Sequence, residues 1–181
     1  MERYRITSDA AVYYVTFSVV EWLPVFVSEG AFRIVTDSLN FCHAHKGLRI
    51  NAFVVMPTHM HMIVFDKDFS ADRLRGTLTD FRKFTGRSLS DFCSQHLPAC
   101  FAETLRAAAT ADRERRFWQP SRHPEAIETE SFWRVKLDYL HENPCRKGLV
   151  LRAAAWRFSS AAYYVSDGRE PSEVKLAAIE W

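Results

Sequence analysis

Two histidines, His59 and His61, are the first residues whose type and spacing point to chemistry. They lie in Phe53-Val54-Val55-Met56-Pro57-Thr58-His59-Met60-His61-Met62-Ile63-Val64-Phe65, where two apolar, β-branched runs flank Pro57-Thr58. Residues two apart on a strand face the same way. Both imidazoles then stand side by side, with Met60 and Met62 turned to the other face. A pair of neutral imidazoles on a rigid strand begins a divalent-metal site, since imidazole suits several first-row ions. Two ligands are too few, so other parts of the chain must complete it.

The second constellation is Tyr139 and Asn143, four residues apart and so stacked on one side of a helix, with Lys136 nearby. A phenol is a poor nucleophile at its ordinary pKa near ~10. It becomes useful when a base or metal activates it, or when its electrophile is polarised. A carboxamide oxygen such as that of Asn143 can serve as a hard metal ligand. A third group, Arg75, Arg82, Lys83 and Arg87, follows one predicted helix. By composition it is a solvated helix face; beside a nucleic-acid site it would make a backbone-contact surface.

These residues need elements to hold them. Ala11 to Val20 alternates apolar and polar residues as a half-buried strand does. Ser28 caps a helix running to about Lys46, with Gly47 just past its end. Leu48 to Met56 and His59 to Phe65 read as strands, paired as a hairpin or continuous with a bend at Pro57. Ser70 caps a helix reaching about Gln95, with Leu74, Leu78, Phe81 and Phe92 on its buried side. Leu97 to Arg116, with Pro98 and an alanine-rich run, reads as an exposed insertion or linker. Glu125-Ala126-Ile127 supplies a short strand. Thr129 or Ser131 opens the last main helix, whose stripe is Trp133, Leu137 and Leu140 and which Pro144 should end or kink. This order suits an α+β architecture: a ferredoxin-like antiparallel sheet with helices packed on one face.

The bulk numbers set limits. At 181 residues the chain is long enough for a single well-buried domain. A net charge of +2 announces no global attraction to nucleic acid, so any such surface must be local. The four cysteines are read as free thiols in a reducing cytoplasm, because the first residues, Met1-Glu2-Arg3-Tyr4-Arg5, carry no secretory signal. No apolar run approaches the ~18 residues of a membrane helix, so no membrane partner is expected.

These residues carry a family resemblance. His59-Met60-His61, reached through Val54-Val55-Met56-Pro57, resembles the histidine-hydrophobic-histidine (HUH) motif of single-tyrosine transposases. Asp138-Tyr139-Leu140-His141-Glu142-Asn143-Pro144, with Lys147-Gly148-Leu149-Val150, is similar to their nucleophile helix. Within that superfamily the REP-associated tyrosine transposases look nearest. Tyr14-Val15-Thr16-Phe17, Phe117-Trp118-Gln119 and Trp156-Arg157-Phe158-Ser159-Ser160 extend the likeness over most of the chain.

The resemblance implies specific roles. Mg²⁺ or Mn²⁺ would be held by His59, His61 and Asn143. Tyr139, on the last main helix, would attack a phosphodiester of single-stranded or hairpin DNA, leaving a 5′-phosphotyrosine and a free 3′-OH. Arg75, Arg82, Lys83 and Arg87 would contact the DNA backbone. The protein would be a mobile-element transposase acting as monomer or homodimer. Thr58 departs from the family, where Asn often precedes the first histidine, as do Arg122-His123-Pro124 and the stretch from Leu97 to Arg116. A non-catalytic nucleic-acid-binding module on the same fold is the alternative from another class, and a metal hydrolase forming no tyrosine adduct is a third.

Overall fold

The computed structural model of the chain describes residues 5–109, 114–120 and 124–180. Its order is β1 (Val12–Ser18), α1 (Glu29–His45), β2 (Leu48–Met56), β3 (His59–Asp66), α2 (Ala71–His96), α3 (Ala99–Ala107), β4 (Glu125–Ile127), α4 (Glu130–Arg146) and α5 (Ala161–Val165), with short 3-10 turns at Val20–Trp22 and Ala153–Ala155. The strands form one antiparallel sheet in the order β2-β3-β1-β4. This is the expected α+β, ferredoxin-like arrangement.

The local signals act as their chemistry requires. The Ser70 hydroxyl accepts from the Arg73 N–H, and the Thr129 hydroxyl accepts from the Phe132 N–H, so each satisfies a donor its helix leaves open. Gly47, at φ 73°, takes the left-handed conformation that turns the chain from α1 into β2. Pro57-Thr58 is the turn of a β2–β3 hairpin, which settles the two readings of that stretch.

Alternation along the strands builds two cores. Tyr13, Val15 and Phe17 of β1 and Met60, Met62 and Val64 of β3 pack with Phe32, Val35 and Leu39 of α1 and Leu74, Leu78 and Phe81 of α2. Val12, Tyr14, Val54, Met56 and Ile63 pack on the other face with Leu137 and Leu140 of α4. Thus α1 and α2 share one face, as expected, but α4 crosses the opposite one. The reason lies in the second face itself: Val12 and Tyr14 of β1, with Val54, Met56 and Ile63, are apolar or aromatic there, so that face needs a cover.

Three anchors fix α4 to the sheet. At a bulge between Ile50 and Ala52, Asn51 accepts from the Trp133 indole at 2.7 Å. Leu137 and Leu140 fill the second core. His141 Nε2 is bonded to Ser160 Oγ at 2.8 Å, and that hydroxyl also meets the Phe53 N–H at 3.0 Å. Ser160→Ala should lower stability by about 1–3 kcal/mol, because it leaves buried groups of His141 and Phe53 unpaired. Urea unfolding at pH 7 measures this, and a loss within ~0.5 kcal/mol would show the hydroxyl is dispensable.

Pro144 does not end the helix where the sequence suggested. α4 continues to Arg146 with Pro144 inside it. Near a helix end the missing N–H removes a single bond, and the Lys147 N–H to Asn143 and Leu149 N–H to Pro144 bonds close the terminus. The stretch expected to be an insertion contains α3, which buries Ala102 and Leu105; residues 110–113 lie outside the described ones. Phe158-Ser159-Ser160 runs along β2 through the Val55 N–H to Phe158 and Ser160 N–H to Phe53 bonds, covering what would be an open sheet edge.

Candidate active site

β3 delivers His59 and His61 to the face under α4, their ring centroids 4.8 Å apart. The antiparallel register places Thr16 opposite His61 and Ser18 opposite His59. Each imidazole has its Nδ1 engaged by a threonine: Thr16 Oγ1 at 2.8 Å from His61, and Thr58 Oγ1 at 2.9 Å from His59. When Nδ1–H donates to the hydroxyl, the Nε2 lone pair is left for a ligand, which is how outer partners fix a metal-binding imidazole. Thr58, a departure from the family pattern, thus has a part in orienting its neighbour.

Burial first, then His59 and Lys136, push the His61 imidazole down to about 3. Burial and then Lys147 push His59 down to about 4. Both rings are neutral at physiological pH, the form that can ligate.

Tyr139 projects from α4 toward this pair. Its ring centroid lies 5.8 Å from that of His61, and the side chain is 42% exposed. The Arg146 guanidinium carbon stands 5.0 Å from the Tyr139 ring centroid, a cation beside the phenol where negative charge would develop. Tyr14 lies behind, stacked on His61 at 5.3 Å and 26°. Burial, then Tyr139 and Glu125, raise the Tyr14 phenol above its ordinary value, so it stays protonated and supports the site as a ring. Lys136 bonds both Glu125 oxygens at 2.8 Å while its ammonium lies 4.7 Å over Tyr14. That pairing ties α4 to β4.

Lys136, Tyr139 and Asn143 are spaced three and four apart, so they follow one side of α4, and Lys147, just past its end, comes four residues later. Lys136 and Tyr139 act on His61, and Lys147 acts on His59. Asn143 falls between them along the chain, and is 5% exposed. Its Nδ2 is buried without a hydrogen-bond partner. A half-turn of the carboxamide would exchange that nitrogen for its oxygen, an acceptor suited to a cation. Among the described residues no group of three His, Cys, Asp or Glu converges to hold a metal. Two neutral imidazoles and this orphaned carboxamide could supply donors to a hard divalent ion that keeps open positions.

The basic cluster divides. Arg82, Lys83 and Arg87 line a cleft of about 500 Å³ with Arg115, Arg116, Phe117 and Trp118. Arg75 lies apart, paired with Asp72 and donating to the Ile6 carbonyl at 3.2 Å. Trp118 is core: it is buried, bonds Thr85 at 3.0 Å and stacks on Phe26. Arg122 and His123 lie outside the described residues. Sequence reasoning missed Thr16, Arg146 and the cleft arginines 115 and 116. For Thr16 the signal was its alternation within the first strand, usable once the strand pairing was known.

The fold is similar to that of a solved tyrosine transposase. A solved REP-associated tyrosine transposase bound to a REP hairpin matches with a TM-score of 0.61 and 22% identity, over 100% of this chain and 93% of that one. In sequence the chain resembles the REP-associated tyrosine transposase of Escherichia coli K12, at 29% identity over 130 residues. That is 70% of this chain and 62% of the relative, so the chain spans under two thirds of that protein. No protein-family model matches.

Proposed function

We propose that this chain is a transposase that cuts and rejoins single-stranded or hairpin DNA through a covalent Tyr139 intermediate. The reading is carried by one observation, the Tyr139 ring 5.8 Å from an imidazole pair whose rings are 4.8 Å apart. Non-catalytic binding would require neither the exposed phenol nor the paired neutral imidazoles. The likeness to REP-associated tyrosine transposases supports the reading.

His59, His61 and Asn143 would hold Mg²⁺ or Mn²⁺. Such an ion supplies electrostatic stabilisation to a phosphodiester as charge builds on its oxygens. The protein's own groups supply the remaining chemistry. The Tyr139 oxygen bonds to phosphorus, the P–O3′ bond breaks, and the departing oxygen takes up a proton as a 3′-OH. The product strand stays on the protein as a 5′-phosphotyrosine. Attack by a 3′-OH of another cut strand restores the phenol and joins the two strands. Because both steps exchange one phosphate ester for another, bond energy is conserved and no cofactor is consumed. Arg146 is placed to oppose negative charge on the Tyr139 oxygen. Arg82, Lys83 and Arg87 would hold the DNA backbone without reading sequence.

The experiment is a denaturing gel of a hairpin oligonucleotide labelled at its 3′ end. A labelled band at the protein's mass, lost on chelation and restored by Mn²⁺, is expected. Hydrolysed ends without an adduct would favour a metal hydrolase, and binding without cleavage would favour the non-catalytic module.

Thr16→Val should weaken Mn²⁺ binding by about 10–100-fold, since the valine cannot orient the His61 ring. Calorimetric titration of the DNA-free protein measures it. Unchanged affinity would mean that Thr16 does not serve a metal ligand.

A further inference from the structure

Where β1 ends, the chain turns through Val20–Trp22 with an unusual backbone. Glu21 and Trp22 both have left-handed φ angles, 51° and 53°, and the Leu23 N–H closes the turn on the Val20 carbonyl at 3.1 Å. Two consecutive left-handed residues form easily with glycine or asparagine, whereas a Cβ crowds the following carbonyl. Glutamate and tryptophan are poor choices for the turn as a turn. Such strain persists where the surroundings enforce it, and it concentrates at functional sites.

The surroundings do enforce it. The Val20 N–H donates to Phe117 at 2.8 Å and the Val19 N–H to Thr58 at 2.9 Å, while the Gln119 side chain donates to Val19 at 3.0 Å. The turn is thereby bonded on one side to the residue preceding His59, and on the other to Phe117, which lines the basic cleft. Its product is a Trp22 ring 55% exposed to solvent with its centroid 5.8 Å from that of His59, at 81°. The indole lies beside His59, on a turn bonded to a residue of the cleft.

We propose that Trp22 is a stacking platform for one unpaired nucleobase next to the phosphodiester that Tyr139 attacks, a role that rests on the endonuclease reading above. An unpaired base presents a π-face regardless of its identity, and an accessible indole on a strained, well-bonded turn receives it with little loss of freedom. A single strand whose phosphate reaches His59 lies beside this ring. Stacking there holds the strand against sliding, so that one phosphate stays at the imidazole pair.

The test uses the full chain carrying Tyr139→Phe, so that binding is measured without cleavage. The probe is a hairpin oligonucleotide with single-stranded flanks, made intact and with one abasic position at each of the nucleotides around the cut. Adding Trp22→Ala should weaken binding of the intact probe roughly ten-fold with little change in its salt dependence. Trp22→Phe should restore most of the affinity. One abasic position should weaken binding to the indole-bearing protein by a similar factor and leave the alanine variant unaffected. Equal affinities for the two proteins, or an abasic penalty that is the same with and without the indole, would overturn the platform. Thermal melting of the alanine variant, expected to match its parent, separates this loss from misfolding. Absence of the covalent adduct in the wild-type protein would instead sink the endonuclease reading, because the binding comparison is made without cleavage.

Discussion

Tyr139→Phe should abolish the covalent protein–DNA adduct and slow strand cleavage by roughly 10³-fold or more, the usual consequence of deleting a nucleophile. The change removes one oxygen and keeps the ring. Contacts of that ring with His61 and Tyr14, at 5.8 and 6.4 Å between centroids, and with Arg146 at 5.0 Å, remain available. The side chain is 42% exposed, so stability should hold within ~0.5 kcal/mol. Binding of single-stranded DNA should stay within about two-fold, because the basic cleft is untouched. A gel for the adduct and a fluorescence titration for affinity check the two halves separately. Full adduct formation would require another nucleophile. Tyr14 is a poor substitute, since burial keeps its phenol protonated. Lost binding together with lost cleavage would mean that the phenol positions DNA and does not attack it.

The reach of the sequence follows the range of each interaction. β2 and β3 were legible to within a residue because period-two alternation and a turn at Pro57-Thr58 are local signals. The helix cap Ser70 was legible for the same reason, and the last helix's cap was narrowed to Thr129 or Ser131, of which Thr129 is the one used. Tyr139 and Asn143 could be placed on one side of a helix by spacing alone. Their approach to His61 could not, because it depends on which sheet face α4 covers. The buried even-numbered residues of β1, Val12 and Tyr14, show that both faces are apolar, and only the packed fold assigns a helix to each. Thr16 stayed hidden because its partner is 45 residues away and strand register is not a local property. The basic cluster shows the reverse. Helical spacing grouped Arg75 with Arg82, Lys83 and Arg87, yet Arg75 is paired with Asp72 outside the cleft, whose further cations come from the distant segment bearing Arg115 and Arg116.

Acidification should destabilise the fold steeply below about pH 6, because three buried imidazoles must remain neutral. Burial pushes His61 to about 3, and His59 and His141 to about 4, from an ordinary value near 6.5. A folded-state pKa below the unfolded one means that the unfolded chain binds more protons in the window between them. The stability these groups contribute is therefore complete above pH 6.5 and is lost as pH falls toward 4. Each group costs at most about 1.4 kcal/mol per pH unit within that window, so three together approach about 4 kcal/mol per unit. A domain of ordinary stability, about 5–15 kcal/mol, has little left after two such units. Urea unfolding between pH 7 and pH 4.5 measures the slope. His141 isolates one share, for it is not one of the proposed metal ligands and it meets Ser160 Oγ at 2.8 Å. His141→Gln keeps a side chain able to bond that hydroxyl and removes the titration. It should flatten the acid slope by up to a third while leaving the neutral-pH stability within about 1 kcal/mol. An unchanged slope in this variant would mean that His141 takes up its proton without unfolding, and that the bond to Ser160 does not hold the ring in its neutral form.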